Sequence, residues 1–445
     1  MHMHMHVCVL CGLLVLAACT DAIDNVIVTW DEKAPILPTV PDGIATYTLG
    51  VQCGGAVAVT DRWLVSGCMT EELYVGFEGA VSVYAKDTAS GDWVEHSLLT
   101  PPDEDLTGNN MKYGYSVAVH GDTIAIGAPN QTVWATYNSG SVFIYTLDQD
   151  TDTWVQTGSV NIAMIALETD WAFGSVVAIG ETYMVASAKH GLYVSALSDD
   201  GEWGSAMAVS APQGTLWGGL SALAHEGDTL AVEAVADDVT DYEDGLPLVV
   251  VFSTNIPEWW TEGNVAMAQR LTSPVHSSDT IQSYGVSISL PYCNEGQRPA
   301  FLAVGEPSKT VMGMEEGGLV HIYTADVGFY QYHTSLSQAP VTTGAHFGWK
   351  VSMGALAVAV AGGYGSDTYV TLYKMDPNVG AFIPVLDKWT GSVSSLALPP
   401  SGDEVYIGAP TSTEEGTHKE GEGEREICQE QVQAVSLWTG IHPEG

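Results

Sequence analysis

A phrase that recurs along this chain limits its fold more than any other property. Its clearest copy is YGYSVAVHGDTIAIGAP, from Tyr113 to Pro129, followed after a polar loop by GSVFIYTLD. A repeat of this length is one supersecondary unit that cannot bury its apolar face alone, so neighbouring copies must stack. Within the copy, Val117, Val119, Ile124 and Ile126 alternate with small or polar residues on either side of His120-Gly121-Asp122. That is the pattern of a two-strand hairpin with a tight turn. Ser141 to Tyr145 is a further β-branched and aromatic run, and an acidic turn leads to a fourth run at Thr153. One repeat is therefore four antiparallel strands, a to d from first to last.

The frame extends along the chain: CGGAVAVTDRWLVSGCM at Cys53, FGSVVAIGETYMVASA at Phe173, WGGLSALAHEGDTLAVEA at Trp217, YGVSISL at Tyr284, FGWKVSMGALAVAVAG at Phe347 and SSLALPPSGDEVYIGAP ending at Pro410. Copies of about 40–60 residues are the size of propeller blades. Trp93, Trp154, Trp203 and Trp259 each mark the start of an outer strand d just after a turn, and Trp30 sits in a similar phrase with no a, b or c strands before it. The last copy supplies a strand c, QVQAVSLW from Gln431, and no d. The expected fold is thus all-β: a seven-bladed β-propeller of four-stranded antiparallel blades, closed by an N-terminal outer strand at residues 26–37. Blades start near 47, 111, 171, 216, 281, 345 and 391, and residues 20–445 form one domain. Such closure removes an exposed sheet edge.

Tyr113-Gly114 with Gly127-Ala128-Pro129, Phe173-Gly174, Phe347-Gly348 and Gly408-Ala409-Pro410 resemble the FG-GAP repeat of integrin α-subunit propellers and of many secreted or surface proteins. The resemblance covers nearly the whole mature chain. It implies a packing role for these residues, with the glycine allowing close approach of inner strands and the aromatic filling the gap between blades. It also raises calcium, which some such blades hold between strands a and b. The loops here, His120-Gly121-Asp122, Gly180-Glu181, Glu226-Gly227-Asp228 and Met353-Gly354, are too short to offer the donors that calcium needs. No cofactor is expected. The loop of Asp237, Asp238, Asp241, Glu243 and Asp244 before Gly245 leaves weak calcium binding open, whereas Asp148, Asp150 and Asp152 read as a solvated acidic turn.

Thirteen Lys and Arg against 54 Asp and Glu give a formal charge of -41. That charge repels nucleic acid and anionic membrane surfaces. The apolar run from Val7 to Ala18 is too short for a stable span and reads as a signal peptide within residues 1–19. Leu16-Ala17-Ala18-Cys19 resembles a bacterial lipobox, so Cys19 is either a lipid attachment point or part of a removed leader. Either way the expected location is secreted or cell-surface, with a membrane met only through a lipid anchor. Cys53 and Cys68 occupy the aromatic and alanine slots of the first copy, which the hairpin register makes diagonal neighbours and a marginal disulfide.

Nucleophile-elbow, zinc-protease and P-loop strings are absent, and the histidines show no ligand spacing. No catalytic residue is expected. Function should then lie on loops carried by the rigid ring. The connections between strands b and c vary most and carry acid, including Glu315 and Glu316. The expected role is a noncatalytic, monomeric binding or adhesion module that takes a protein or glycan on this face. The alternative is a propeller glycan hydrolase or lyase that uses carboxylates in the central channel.

Overall fold

A computed structural model of the chain describes residues 28–32, 51–70, 78–102, 111–134, 136–162, 170–189, 191–217, 222–237, 246–253, 268–275, 283–293, 298–326, 329–363, 367–384, 389–402, 404–409 and 431–439. Among them the regular structure is entirely β. The hairpin of the clearest copy forms as its alternation requires: Val117 lies opposite Ile126 and Val119 opposite Ile124. Gly121 closes it at φ 54°, a left-handed conformation that suits the twist of a two-residue hairpin turn. Thr123–Ala128 then pairs with Ser141–Asp148, and Ser141–Asp148 with Thr153–Asn161.

The same antiparallel sheet is built again and again, from inner strands Val51–Val59, Ser116–His120, Val177–Ile179, Leu223–Glu226, Ser287–Ser289, Lys350–Met353 and Ser395–Ala397. Thr215–Leu216 and Trp389–Thr390 add short strands to the fourth and sixth sheets. Each inner strand touches the next, and Ser395–Ala397 touches Val51–Val59. The sheets are therefore blades of a closed propeller ring. Val28–Glu32 is the outer strand of the last sheet, antiparallel to Gln431–Thr439, with Trp30 opposite Leu437. The two ends of the chain complete one blade.

Between blades the core is apolar and the backbones nearly touch. Phe173 is fully buried among Val142, Ile144 and Val160 of the second sheet and Val177, Met184 and Ala186 of the third. Tyr113 and Phe347 occupy the corresponding seams. Burying a ring of this size contributes roughly 1.5–3 kcal/mol. A Cβ on Gly127 would run into the carbonyl oxygen of Gly174, and Gly67 with Gly114, Gly305 with Gly348 and Gly408 with Gly54 repeat that approach. Ser116 Oγ donates to the Gly174 carbonyl at 2.7 Å. Ser395 Oγ donates to the Gly54 carbonyl at 2.7 Å, so the last sheet meets the first through the same seam.

Two details differ from the sequence expectation. Cys53 stands directly opposite Cys68, not diagonal to it, because Gly54 and Gly55 are extra to the ladder and shift the register. Cys68 is disulfide-bonded. Of the outer-strand markers, Trp93 opens Trp93–Leu99 and Trp154 is second in Thr153–Asn161. Trp203 instead precedes its outer strand, Met207–Val209, and bridges back to Leu197. Trp259 lies outside the described residues.

Candidate binding face

Parallel bridges join Gly79 to Tyr113 and Gly140 to Phe173. They tie the end of each b to c loop to the d to a loop of the next blade, which places both loop sets on one face. Two long b to c loops there, at 129–140 and 307–318, are built alike. In the second sheet, Val133 and Thr136 exchange backbone hydrogen bonds of 3.3 and 2.9 Å, and Gly140 N donates to the Gln131 carbonyl at 3.0 Å. In the fifth sheet, Val311 and Met314 exchange bonds of 3.0 and 2.9 Å, and Gly318 N donates to the Lys309 carbonyl at 2.9 Å. Each loop is a small hairpin.

The tips of these hairpins carry the wrong residues for comfort. Met312 and Gly313 have φ of 51° and 82°, and Trp134 has φ of 47°. Two positive φ values in a row define a turn that favours Asn-Gly. Methionine and tryptophan there pay in local conformation while their side chains point to solvent, 88% and 68% exposed. Packing does not call for either residue at an exposed tip. Tyr115, Tyr137 and Met314 are also exposed on this face.

The loops are fixed from below. Asp170 N donates to the Tyr137 carbonyl and Ala172 N to the Asn138 carbonyl, both at 3.0 Å. Gly344 N and His346 N make the matching bonds to the Glu315 and Glu316 carbonyls, at 2.9 and 2.8 Å. Beneath the fifth-sheet loop lies a buried polar cluster around Glu306, which replaces the alanine of the GAP phrase. Lys309 Nζ donates to Glu306 Oε1 at 3.2 Å, while Ser273 Oγ and His321 Nε2 approach Oε2 at 2.8 Å. Burial opposes the charge of Glu306. Hydrogen bonds from His321 and Ser273 and the charge of Lys309 outweigh it and hold the carboxyl below the ordinary carboxylate range.

Of the acidic residues singled out in the sequence, Glu315 is exposed and Glu316 is half-buried, its Oε2 3.6 Å from His346 Nε2. Asp237 is exposed and its N donates to the Gly214 carbonyl at 3.1 Å. Asp238, Asp241, Glu243, Asp244 and Cys19 lie outside the described residues. Among the described residues, no three His, Cys, Asp or Glu side chains are placed to hold a metal ion. Sequence reasoning looked for charge on these loops and missed the apolar tips. The signal was present, since WATY and VMGM put large apolar residues inside otherwise turn-forming segments.

The opposite end of the ring holds a second feature. Ends of the inner strands enclose a cavity of about 280 Å³ in the central channel, lined by Thr60, His120, Glu226, Tyr292 and Ser352 among others. Cys293 N donates to Glu226 Oε1 at 3.4 Å. Burial pushes the Glu226 carboxyl up to about 7. Burial, together with the charge of His120, holds the adjacent His225 down at about 4. Glu226, which the sequence places in the short loop Glu226-Gly227-Asp228, ends the inner strand Leu223–Glu226 and lines the channel.

Comparison with known proteins agrees with this architecture. The FG-GAP repeat matches residues 93–145, a span that runs from strand d of the first blade to strand c of the second. The chain is a multi-bladed β-propeller that carries the FG-GAP repeat. No curated protein matches it. Among solved structures, a 6-phosphogluconolactonase candidate from Bacteroides uniformis is similar at 11% identity and a TM-score of 0.50, over 85% of this chain and 100% of that one. The periplasmic gluconolactonase of Pseudomonas aeruginosa is similar at 14% identity and a TM-score of 0.47, over 86% and 99%. Hydrazine synthase of Kuenenia stuttgartiensis is similar at 12% and 0.48, over 83% and 96%. At such identities the likeness is one of fold.

Proposed function

We propose that the chain is an exported, monomeric seven-bladed propeller that binds a protein or glycan, without catalysis, on the face of its b to c and d to a loops. The observation that carries this reading is the pair of hairpin tips that hold Trp134 and Met312 exposed in left-handed conformations. Large exposed apolar groups on fixed loops are what a recognition surface needs, since little freedom is lost on binding. The leader accounts for export, by cleavage or by acylation at Cys19. Cys53 is the proposed partner of the bonded Cys68, a reading supported by their opposite positions in the ladder. Weak calcium binding at the Asp237 to Asp244 loop belongs to the same reading as an accessory.

The test is capture of extracellular proteins and of arrayed glycans by the mature chain, with and without calcium. Binding should be lost in the double variant Trp134→Asn, Met312→Asn at unchanged fold. Capture that ignores both substitutions overturns the reading. One observation favours a second: Glu226, poised near neutrality in the channel, is suited to general acid or base work. Under that reading the mature chain turns over a glycan or lactone panel, and Glu226→Gln abolishes turnover.

A further inference from the structure

A groove of about 340 Å³ runs between the outer strands of the second and third blades. Its volume is at the low end for sites that take small organic ligands, roughly 300–1,000 Å³. Trp134 stands at its upper end and Trp203 along its wall, with Ser159, Asn161, Gly204 and Ser205 between them. We propose that this groove is a carbohydrate subsite for a neutral oligosaccharide, which rests on the loop-face reading above and gives it a ligand class.

The chemistry of the lining selects the ligand. A pyranose has an apolar face of C–H bonds and a rim of hydroxyls, so it needs flat rings to lie on and short polar groups beside them. Indole supplies a rigid aromatic surface with a polar edge, and it loses little conformational freedom on binding. Ser159 and Ser205 offer hydroxyls beside the rings. Among the described residues, no charged side chain lines the groove. On a chain of formal charge -41, an uncharged groove is a local exception, and the surrounding field repels sulfated or uronic glycans. A basic peptide would find no ion pair here. The favoured occupant is an uncharged sugar chain.

Both indoles are fixed by their backbones. A Cβ on Gly158 would meet Trp203 Cδ1 at 2.8 Å and Cγ at 3.1 Å, so only glycine in that outer strand lets the ring lie across it. Gly204 N donates to the Ala196 carbonyl at 2.9 Å, and Ser195 Oγ donates to the Gly204 carbonyl at 2.7 Å. Trp134 sits on the strained hairpin tip with its ring mostly in solvent. Trp203 also packs against the apolar seam between the two blades, whereas the exposure of Trp134 is not explained by a need to complete the core.

The experiment uses the full mature chain and four probes: cellotetraose, maltotetraose, chitotetraose and α-mannotetraose. Binding is followed by saturation-transfer NMR and by tryptophan fluorescence. At least one probe should bind. Trp134→Ala should weaken it by about tenfold or more, the scale of an aromatic hot spot, with thermal stability unchanged. Ser205→Arg should block the groove from its other side, while Leu356→Asn, in the exposed turn that follows the inner strand Lys350–Met353, should leave the sugar affinity alone. Failure of all four probes, or binding that ignores Trp134→Ala and Ser205→Arg, overturns the subsite. So does displacement of the bound sugar by choline at equal concentration, which would make the indoles a cation cage. A loop-face partner captured without sugar binding, and lost in Met312→Asn, sinks the subsite and leaves the broader reading standing.

Discussion

Gly127 and Gly121 are both glycine for reasons that separate on substitution. Gly127 meets the backbone of the next blade, where an added Cβ has nowhere to go, whereas nothing lies within 4 Å of one added to Gly121. Gly127→Ala should therefore cost about 1–3 kcal/mol by forcing two blades apart. Gly121→Asn should cost only a few tenths, since Asn tolerates the left-handed turn. Urea unfolding of the two variants checks this, and equal losses would mean that the seam is not closely packed. Glu226 supplies a second residue-scale prediction. Its carboxyl is raised from 4.5 to about 7, so the folded chain holds this proton more tightly than the unfolded one. The resulting stabilisation is full below about pH 4.5 and is lost as pH rises to about 7, a change of roughly 2–3 kcal/mol. His225, held down at about 4, acts in the opposite sense: its neutral form supports the fold above pH 6.5 and that support fades as pH falls toward 4. Comparing Glu226→Gln with the parent isolates the first effect. The variant should gain relative stability between pH 4.5 and 7 and hold it above; a difference that does not change with pH would show Glu226 to be solvated.

At the scale of single elements, the hairpin tips and the first hairpin behave differently. Placing Asn at Met312 suits the left-handed backbone and should raise stability by about 0.5–1 kcal/mol while removing a contact from the proposed binding face. A gain in melting temperature together with lost capture is the expected pair of readings, and lost stability would show that Met312 packs. In the first blade Cys68 is disulfide-bonded, and the proposed pairing with Cys53 would close a short loop. Reduction should lower unfolding stability by about 2–3 kcal/mol, and peptide mapping should recover Cys53 joined to Cys68. The hairpin frame of these elements was legible because alternation and turn residues are local. The cross-strand position of Cys53 was not, because two glycines side by side displace the ladder by an amount that a strict two-residue period hides. Trp203 was misplaced for a similar reason: its neighbour Gly158 belongs to another blade, and no pattern within its own repeat announces the contact.

For the whole molecule, closure is the decisive event. Val28–Glu32 covers the edge of Gln431–Thr439, so a chain begun at Thr46 would leave that strand open to other chains. The truncated form should melt lower and self-associate as its concentration rises, measured by light scattering. A truncated form that stays monomeric and equally stable would mean that the strand is an ornament to the ring. The recurring phrase by itself determined the all-β class and the four-stranded unit, because both follow from spacing within one repeat, and its resemblance to the FG-GAP repeat implied the packing role of the glycines and aromatics at the seams. Tertiary structure decided the rest. Trp134 reaches a groove made by the next blade, and Glu226 meets a channel bounded by strands hundreds of residues away. Their exposure and protonation are properties of what surrounds them in space, which a repeat specifies for its own strands and leaves unspecified for the loops between them.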